Sequence, residues 1–257
     1  VLMNTRYSGY KCFIIHLNRA SKRKLTVDKI VSDMTLETEI IDAVDGHNLS
    51  DAQLNHHISD KKLFNPPYPF LLNKGEVGCF LSHRLAWQKI VDQKLIGALI
   101  IEDDVKIDKK KFYKGLDASL NHLDNIGYIQ FQVRKIEKHS KEIQNINNIR
   151  LLEVLPIPLR TSAQIVSYEA ALKLLELTKK FDRPIDGFLQ LFWSTGLKVK
   201  IISPSSVVDI TNESGGSTIS KKHSKALFIK RTIDRALYRI KIILYSKLSK
   251  NMSSIFK

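Results

Sequence analysis

One stretch constrains this chain more than any other. Ala98-Leu99-Ile100-Ile101, an uninterrupted apolar run, leads straight into Glu102-Asp103-Asp104. The run predicts a strand buried on both faces, the kind found in parallel sheets covered by helices. In open α/β sheets ligands bind beyond the carboxyl ends of such strands, which is where the three acids fall. Crowding carboxylates there costs repulsion and desolvation unless a cation compensates. Oxygen ligands suit Mg²⁺ or Mn²⁺, which take one or two protein carboxylates and fill their shell with phosphate and water. The same three letters also fit a solvated acidic turn.

The rest of the chain supports an α/β reading. Lys11 to Leu17 (KCFIIHL) predicts a first strand, followed by a helical segment to Met34 with Leu25, Ile30 and Val31 at roughly helical spacing. Glu39 to Val44 predicts a second strand, ended by Asp45-Gly46, so the chain opens as βαβ. Ser59 to Leu72 holds three of the seven prolines and reads as a loop. Lys74 to Gln93 predicts a helix buried through Val77, Phe80, Leu81, Leu85, Trp87 and Ile90. A helix (Lys109 to His122), a strand (Tyr128 to Val133) and a polar excursion (Lys135 to Asn148) follow. Gln164 to Val166 predicts a strand, Tyr168 to Lys179 a helix, and Pro184 to Ser194 another helix; Val199 to Ile202 closes the sheet. Ser214-Gly215-Gly216-Ser217 reads as a flexible linker, which divides the chain into a domain over 1–212 and a tail over 213–257.

Composition excludes several classes. With 257 residues, 43% hydrophobic and 26% charged, the chain is neither disordered nor fibrous. No run reaches about 18 uncharged apolar residues, so no membrane-crossing helix is expected. The first residues lack the apolar core of a secretory signal. Cys12 and Cys79 lie in apolar strings, which points to a reducing, cytoplasmic setting. The net charge of +15 is concentrated: Lys221 to Lys257 carries eleven basic residues and one acid, Asp234.

Lys74-Gly75-Glu76-Val77-Gly78-Cys79-Phe80-Leu81-Ser82-His83 is the second unusual stretch. Glycines at a helix start expose N–H groups, and Lys74 adds positive charge, an arrangement suited to an anion. His83 lies seven residues after Glu76, on the same helix face. A hydrogen-bonded structural histidine fits the same position.

Taken in order, FIIHLNRASKR (13–23), IIDAVDG (40–46), GEVGCFLSHRLAW (75–87), ALIIEDDV (98–105), TSAQIVSYEAALKLL (161–175) and PIDGFL (184–189) resemble glycosyltransferase family 25, the lipooligosaccharide galactosyltransferase family of Gram-negative bacteria. The resemblance spans roughly residues 11 to 210, and its specific part is the succession DAVDG, GEVGCxLSH and EDDV. It implies a GT-A-like fold: one Rossmann-like, mainly parallel sheet flanked by helices, here followed by a basic amphipathic C-terminal helix. A nucleotide-sugar donor would lie at the carboxyl edge, with a divalent ion, Mn²⁺ or Mg²⁺, on its diphosphate. The expected reaction is inverting transfer of a hexose, galactose from UDP-galactose, to a lipooligosaccharide.

The resemblance also implies roles. Glu102 and Asp104 would face metal and donor, Asp104 as the more direct ligand, with Asp103 between them. Leu17, Asn18, Arg19 and Arg23 would lie beside the uridine and diphosphate, and Asp45 near the ribose or uracil. Lys74, Glu76 and His83 would line the donor-sugar side. Inversion needs a carboxylate to take the acceptor hydroxyl's proton. Asp186, after Pro184 at a helix start, is the candidate, with Glu76 and Asp209 as rivals. Asp186, like Asp182, also fits a plain helix N-terminal carboxylate. Two departures stand out: Gln164 replaces a common aromatic residue, and His223 in the tail is the one histidine available after the core as a further metal ligand.

In the tail, Ile229, Ile233, Leu237, Ile240, Leu244 and Leu248 recur at helical spacing beside Arg231, Arg235 and Arg239. Residues 226–248 therefore predict an amphipathic helix suited to an anionic inner-membrane surface, which would make the protein peripheral on the inner face. Packing on the domain, or a homodimer, are alternatives. Nucleic acid is not an expected partner, because aromatic residues are not interleaved with the basic ones. The competing functions are a glucosyl- or N-acetylhexosaminyltransferase of the same fold, a Mg²⁺ phosphotransferase or hydrolase using the same acids, and a membrane-binding adaptor acting through the tail.

Overall fold

A computed structural model describes residues 7–134, 136, 141–213 and 225–255. The linker at 214–217 and His223 lie outside these residues. The sheet opens with β1 (Tyr10–His16), α1 (Lys24–Asp33) and β2 (Glu37–Asp42), continues through α2 (Asp51–His57) and α3 (Lys74–Asp92), and reaches β3 (Gly97–Glu102). After β4 (Val105–Ile107), α4 (Lys109–Leu120) and α5 (Leu123–Ile126) come β5 (Tyr128–Phe131), β6 (Lys141–Ile146), β7 (Ile149–Glu153) and β8 (Ala163–Ser167). The chain then forms α6 (Tyr168–Leu177), α7 (Ile185–Leu189), α8 (Phe192–Thr195), β9 (Val199–Ser203), β10 (Val207–Asp209) and α9 (Lys225–Ile255).

Eight strands form one sheet in the order β2-β1-β3-β8-β5-β9-β7-β6, and β4 pairs with β10 apart from it. β1 runs parallel to β2 and β3, and β5 parallel to β9, whereas β8 and β7 run against their neighbours. Six of the eight strands therefore share a direction, giving the α/β architecture expected, a mainly parallel sheet flanked by helices. Alternation divides each strand between two cores. Phe13, Ile15, Ala98 and Ile100 pack under α3, α6 and α7, while Cys12, Ile14, Leu99 and Ile101 pack under α1 and α4. Strands buried on both sides cannot alternate polar with apolar residues, which is why β1 and β3 read as continuous apolar runs.

Several expectations need correction. The excursion after Lys135 contains β6, which forms a hairpin with β7; its exposed, polar edge position hides the strand from hydrophobic reading. β9 lies between β5 and β7 rather than closing the sheet. The helix from Pro184 is two short helices, the second ended by Gly196 at φ 64°, a left-handed cap. α2 was not expected; Ser50 and Gln53 start it with a reciprocal capping box. On α3, Leu85 is exposed and His83 is buried, and on α1 Val27 takes the buried position given to Leu25.

The motif glycines bring the turn after β2 and the start of α3 into backbone contact. A Cβ on Gly46, just after β2, would stand 1.6 Å from the Lys74 carbonyl oxygen, and one on Gly78 would stand 2.5 Å from that of Val44. Ser82 fastens the same junction: its hydroxyl accepts from Val44 N at 2.8 Å and donates to Gly78 O at 2.7 Å. The start of α3 is thus drawn to the sheet edge, fixed by a capping box between Asn73 and Glu76.

Candidate active site

A cleft of about 430 Å³ opens at the carboxyl edge of β1 and β3. Leu17, Arg19, Arg23, Asp45, Glu76, His83, Glu102, Asp103, Asp104 and Asp186 all line it. Asn18 and Lys74 do not: the Asn18 amide donates to Asp42 at 3.2 Å, and the Lys74 ammonium to Leu49 O at 3.1 Å.

The three acids at the end of β3 have three different surroundings. Asp103 is buried and turned toward β1, accepting from Arg23 Nη1 at 2.6 Å and Leu17 N at 3.1 Å and pairing with His16 Nδ1 at 2.8 Å. It anchors the exit of β1, so its neighbours face the cleft. Burial raises Glu102, but His83 (3.0 Å) and the Thr161 hydroxyl (2.8 Å) outweigh it and hold the carboxyl below its ordinary range. Asp104 is pushed up to about 6 by burial and by the Glu102 charge, against Arg23 and the Thr211 hydroxyl at 3.0 Å.

All these contacts fall on Glu102 Oε1 and Asp104 Oδ2. Among the described residues, the second oxygen of each has no protein partner. The lining holds six carboxylates and three arginines, an acid-rich cleft in a chain of net charge +15. Such a cleft repels a diphosphate until a cation enters, so the donor set fits a hard divalent ion. Cys79, His83 and Glu102 bring ligand atoms within 4.8 Å of one another. Burial and the surrounding acids push the Cys79 thiol well up, however, and a protonated thiol is a poor ligand.

His83 is held on both sides. Its Nε2 meets Glu102 and its Nδ1 meets Gln164 Nε2 at 3.3 Å, so Gln164 orients the imidazole from inside the core. Glu76 takes Asn73 N on Oε2 at 2.8 Å as part of the helix cap, and burial raises its pKa. Asp45 accepts from Arg19 Nε at 2.6 Å and from His47 N; these outweigh its partial burial and keep it below the ordinary range.

Asp186 stands in the first turn of α7, accepting from Gly187 N at 2.7 Å and Arg160 N at 3.3 Å. Burial, aided by the Glu102 charge, raises its pKa despite both N–H groups. Asp209 lies outside the lining, ion-paired to Arg160 at 3.0 Å and bonded to Thr211. Asp182 belongs to a different assembly, the ion pair of the fully buried Arg183.

Arg160, Thr161, Thr211 and Tyr68 line the cleft and were not singled out from the sequence. Arg160 sits at φ 97°, a strained conformation for a side-chain-bearing residue, held by Asp186 and Asp209. β8 runs against β3, so the segment entering β8, not the one leaving it, reaches the carboxyl edge of the sheet. The antiparallel direction of β8, which only the sheet pairing reveals, is what hides Arg160 and Thr161 in the sequence.

Comparison with known proteins bears on this geometry. A family model described as "Glycosyltransferase family 25 (LPS biosynthesis protein)" matches residues 10–189. Human procollagen galactosyltransferase 2 is 32% identical over 194 residues, covering 71% of this chain and 30% of its own. Mouse inactive glycosyltransferase 25 family member 3 is 28% identical, covering 72% and 34%. This chain thus spans about a third of the length of these curated relatives. A solved glycosyltransferase involved in the glycosylation of the major capsid of PBCV-1 has a TM-score of 0.34 at 14% identity, over 64% of this chain and 63% of that one. The family match covers β1 through α7, with every cleft acid inside it, and the chain belongs to glycosyltransferase family 25.

Proposed function

We propose that this chain transfers galactose from UDP-galactose, with inversion, to a sugar of a lipooligosaccharide acceptor at the inner face of the inner membrane. One observation carries the reading. Glu102 and Asp104, each with one oxygen unpartnered among the described residues, share a cleft with Asp186, a half-buried acid of raised pKa. The galactosyltransferase names of several relatives support galactose as the sugar.

Glu102 and Asp104 would hold Mn²⁺ or Mg²⁺, which supplies charge neutralisation at the diphosphate. Arg23 and Arg160 add fixed positive charge to the same cleft, favouring the leaving group as negative charge develops on it. Asp103 keeps Arg23 in place through its 2.6 Å contact. Asp186 takes the proton of the acceptor hydroxyl as that oxygen bonds to the anomeric carbon and the bond to UDP breaks. Two backbone N–H groups orient its carboxylate, and burial keeps its proton affinity high enough to serve as a base. Glu76, whose carboxylate closes the capping box at the start of α3, is the rival base.

Calorimetry with UDP, with and without Mn²⁺, tests the donor site. Binding that requires Mn²⁺ and disappears in Asp104→Ala supports the reading; no binding with metal present overturns it. A hydrolysis and transfer assay comparing UDP-galactose with UDP-glucose and UDP-N-acetylhexosamines then tests the sugar.

A further inference from the structure

Among its described side chains, α9 meets the domain through one arc. Tyr238, Ile242 and Ser246 are buried, Arg231 and Arg235 lie over the Phe70 ring, and Tyr245 packs on Trp193. At 3.6 residues per turn, the stripe centred on Leu237 points away from that arc. Ile229, Ile233, Leu237, Ile240, Leu244 and Leu248 are 60, 56, 53, 53, 51 and 62% exposed. The predicted apolar face is therefore not the face that packs on the domain.

We infer that this outward stripe docks the protein on an anionic lipid bilayer, with α9 lying in the plane of the interface. Charge selects that occupant. α9 carries eight basic residues and one acid, and exposed Lys230, Lys241 and Lys247 flank the stripe. A second copy would set one such helix against another, and each belongs to a chain of net charge +15. An anionic surface is instead attracted by every flanking lysine. The stripe runs about 29 Å along the helix, and no helix among the described residues is long and apolar enough to cross a membrane. Lying flat suits both facts.

Docking in this way sets the cleft close to the lipid. Tyr68 lines the cleft and packs edge-on against Tyr238, at 5.4 Å between ring centroids. The inference deepens the proposed function by giving its acceptor a lipid setting, but its test is independent of transfer.

The test is flotation of the 257-residue chain with phosphatidylcholine vesicles, alone or mixed with phosphatidylglycerol. Flotation is expected only with phosphatidylglycerol, weakening as salt rises. Leu237→Glu/Leu244→Glu and Lys230→Glu/Lys241→Glu should each lower it about tenfold or more. Both pairs are exposed, so circular dichroism and Mn²⁺-dependent UDP binding should stay as in the wild type, which keeps this test separate from that of the donor site. Three results overturn the inference: no flotation with anionic vesicles, equal flotation by the Leu237/Leu244 variant, or a stripe-dependent dimer in sedimentation that ignores vesicles.

Discussion

Asp186 and Asp104 are both raised by burial, and the two shifts have different consequences. A raised carboxylate keeps its proton to higher pH, so a base with this property switches on as pH climbs past its raised value. kcat/KM should therefore show an acid limb above the ordinary carboxylate range, and Asp186→Asn should remove that limb. The variant should lose about 10²- to 10⁴-fold in kcat while UDP affinity stays within a few-fold, as read by steady-state kinetics and calorimetry. The folded state also binds the extra proton, so the stability Asp186 contributes is present at low pH and is lost as pH rises through its raised value. Asp104, pushed up to about 6, must lose its proton to bind a cation. Mn²⁺ affinity measured against pH should rise about tenfold per unit below 6 and flatten above it; a flat profile from pH 5 would remove Asp104 from the ligand set.

Among the elements, α3 is the hinge of the site's construction. Gly78, Ser82 and His83 hold the loop after β2 and the end of β3 from a single helix. The sequence showed that these motifs matter but not that they touch, because contact between segments some thirty residues apart leaves no local periodicity. Gly78→Ala should cost about 1–3 kcal/mol in denaturant unfolding, since the added methyl meets backbone rather than a yielding side chain. It should also weaken UDP binding by shifting Asp45. β1, β3, α3 and α4 were legible because burial writes a period or an apolar run into them. β6 was not, because four of its six residues are polar, and it is an edge strand defined by its hydrogen bonds to β7. Arg160 and Thr161 were hidden for a third reason: strand direction is decided by sheet pairing, which no stretch of residues records.

At the scale of the molecule, stability should grade from the middle of the sheet outward. β3 and β8 are buried on both faces and paired on both sides, whereas β6 pairs only with β7. Amide hydrogen exchange should be slowest at Leu99–Ile101 and Ile165–Val166 and fastest, among the strands, at Lys141–Ile146. Equal protection across the sheet would contradict this gradient. The C-terminal helix shares in this grading, because Tyr238 and Ile242 belong to the core under α3 and α6.

Fully buried Arg183 gives that packing its weight. Its guanidinium is bidentate on Asp182, at 2.7 and 3.0 Å, and donates to Phe64 O, Pro66 O and the Tyr238 hydroxyl. One cation thus ties the proline-rich loop, the approach to α7 and the C-terminal helix together. Shortening the chain at the linker, the usual remedy for a sticky basic extension, would strip Tyr238 from this knot and open the core beneath it. The trimmed protein would lose part of its own scaffold along with its hold on any surface, and poor activity in such a fragment would say nothing about where the intact chain works.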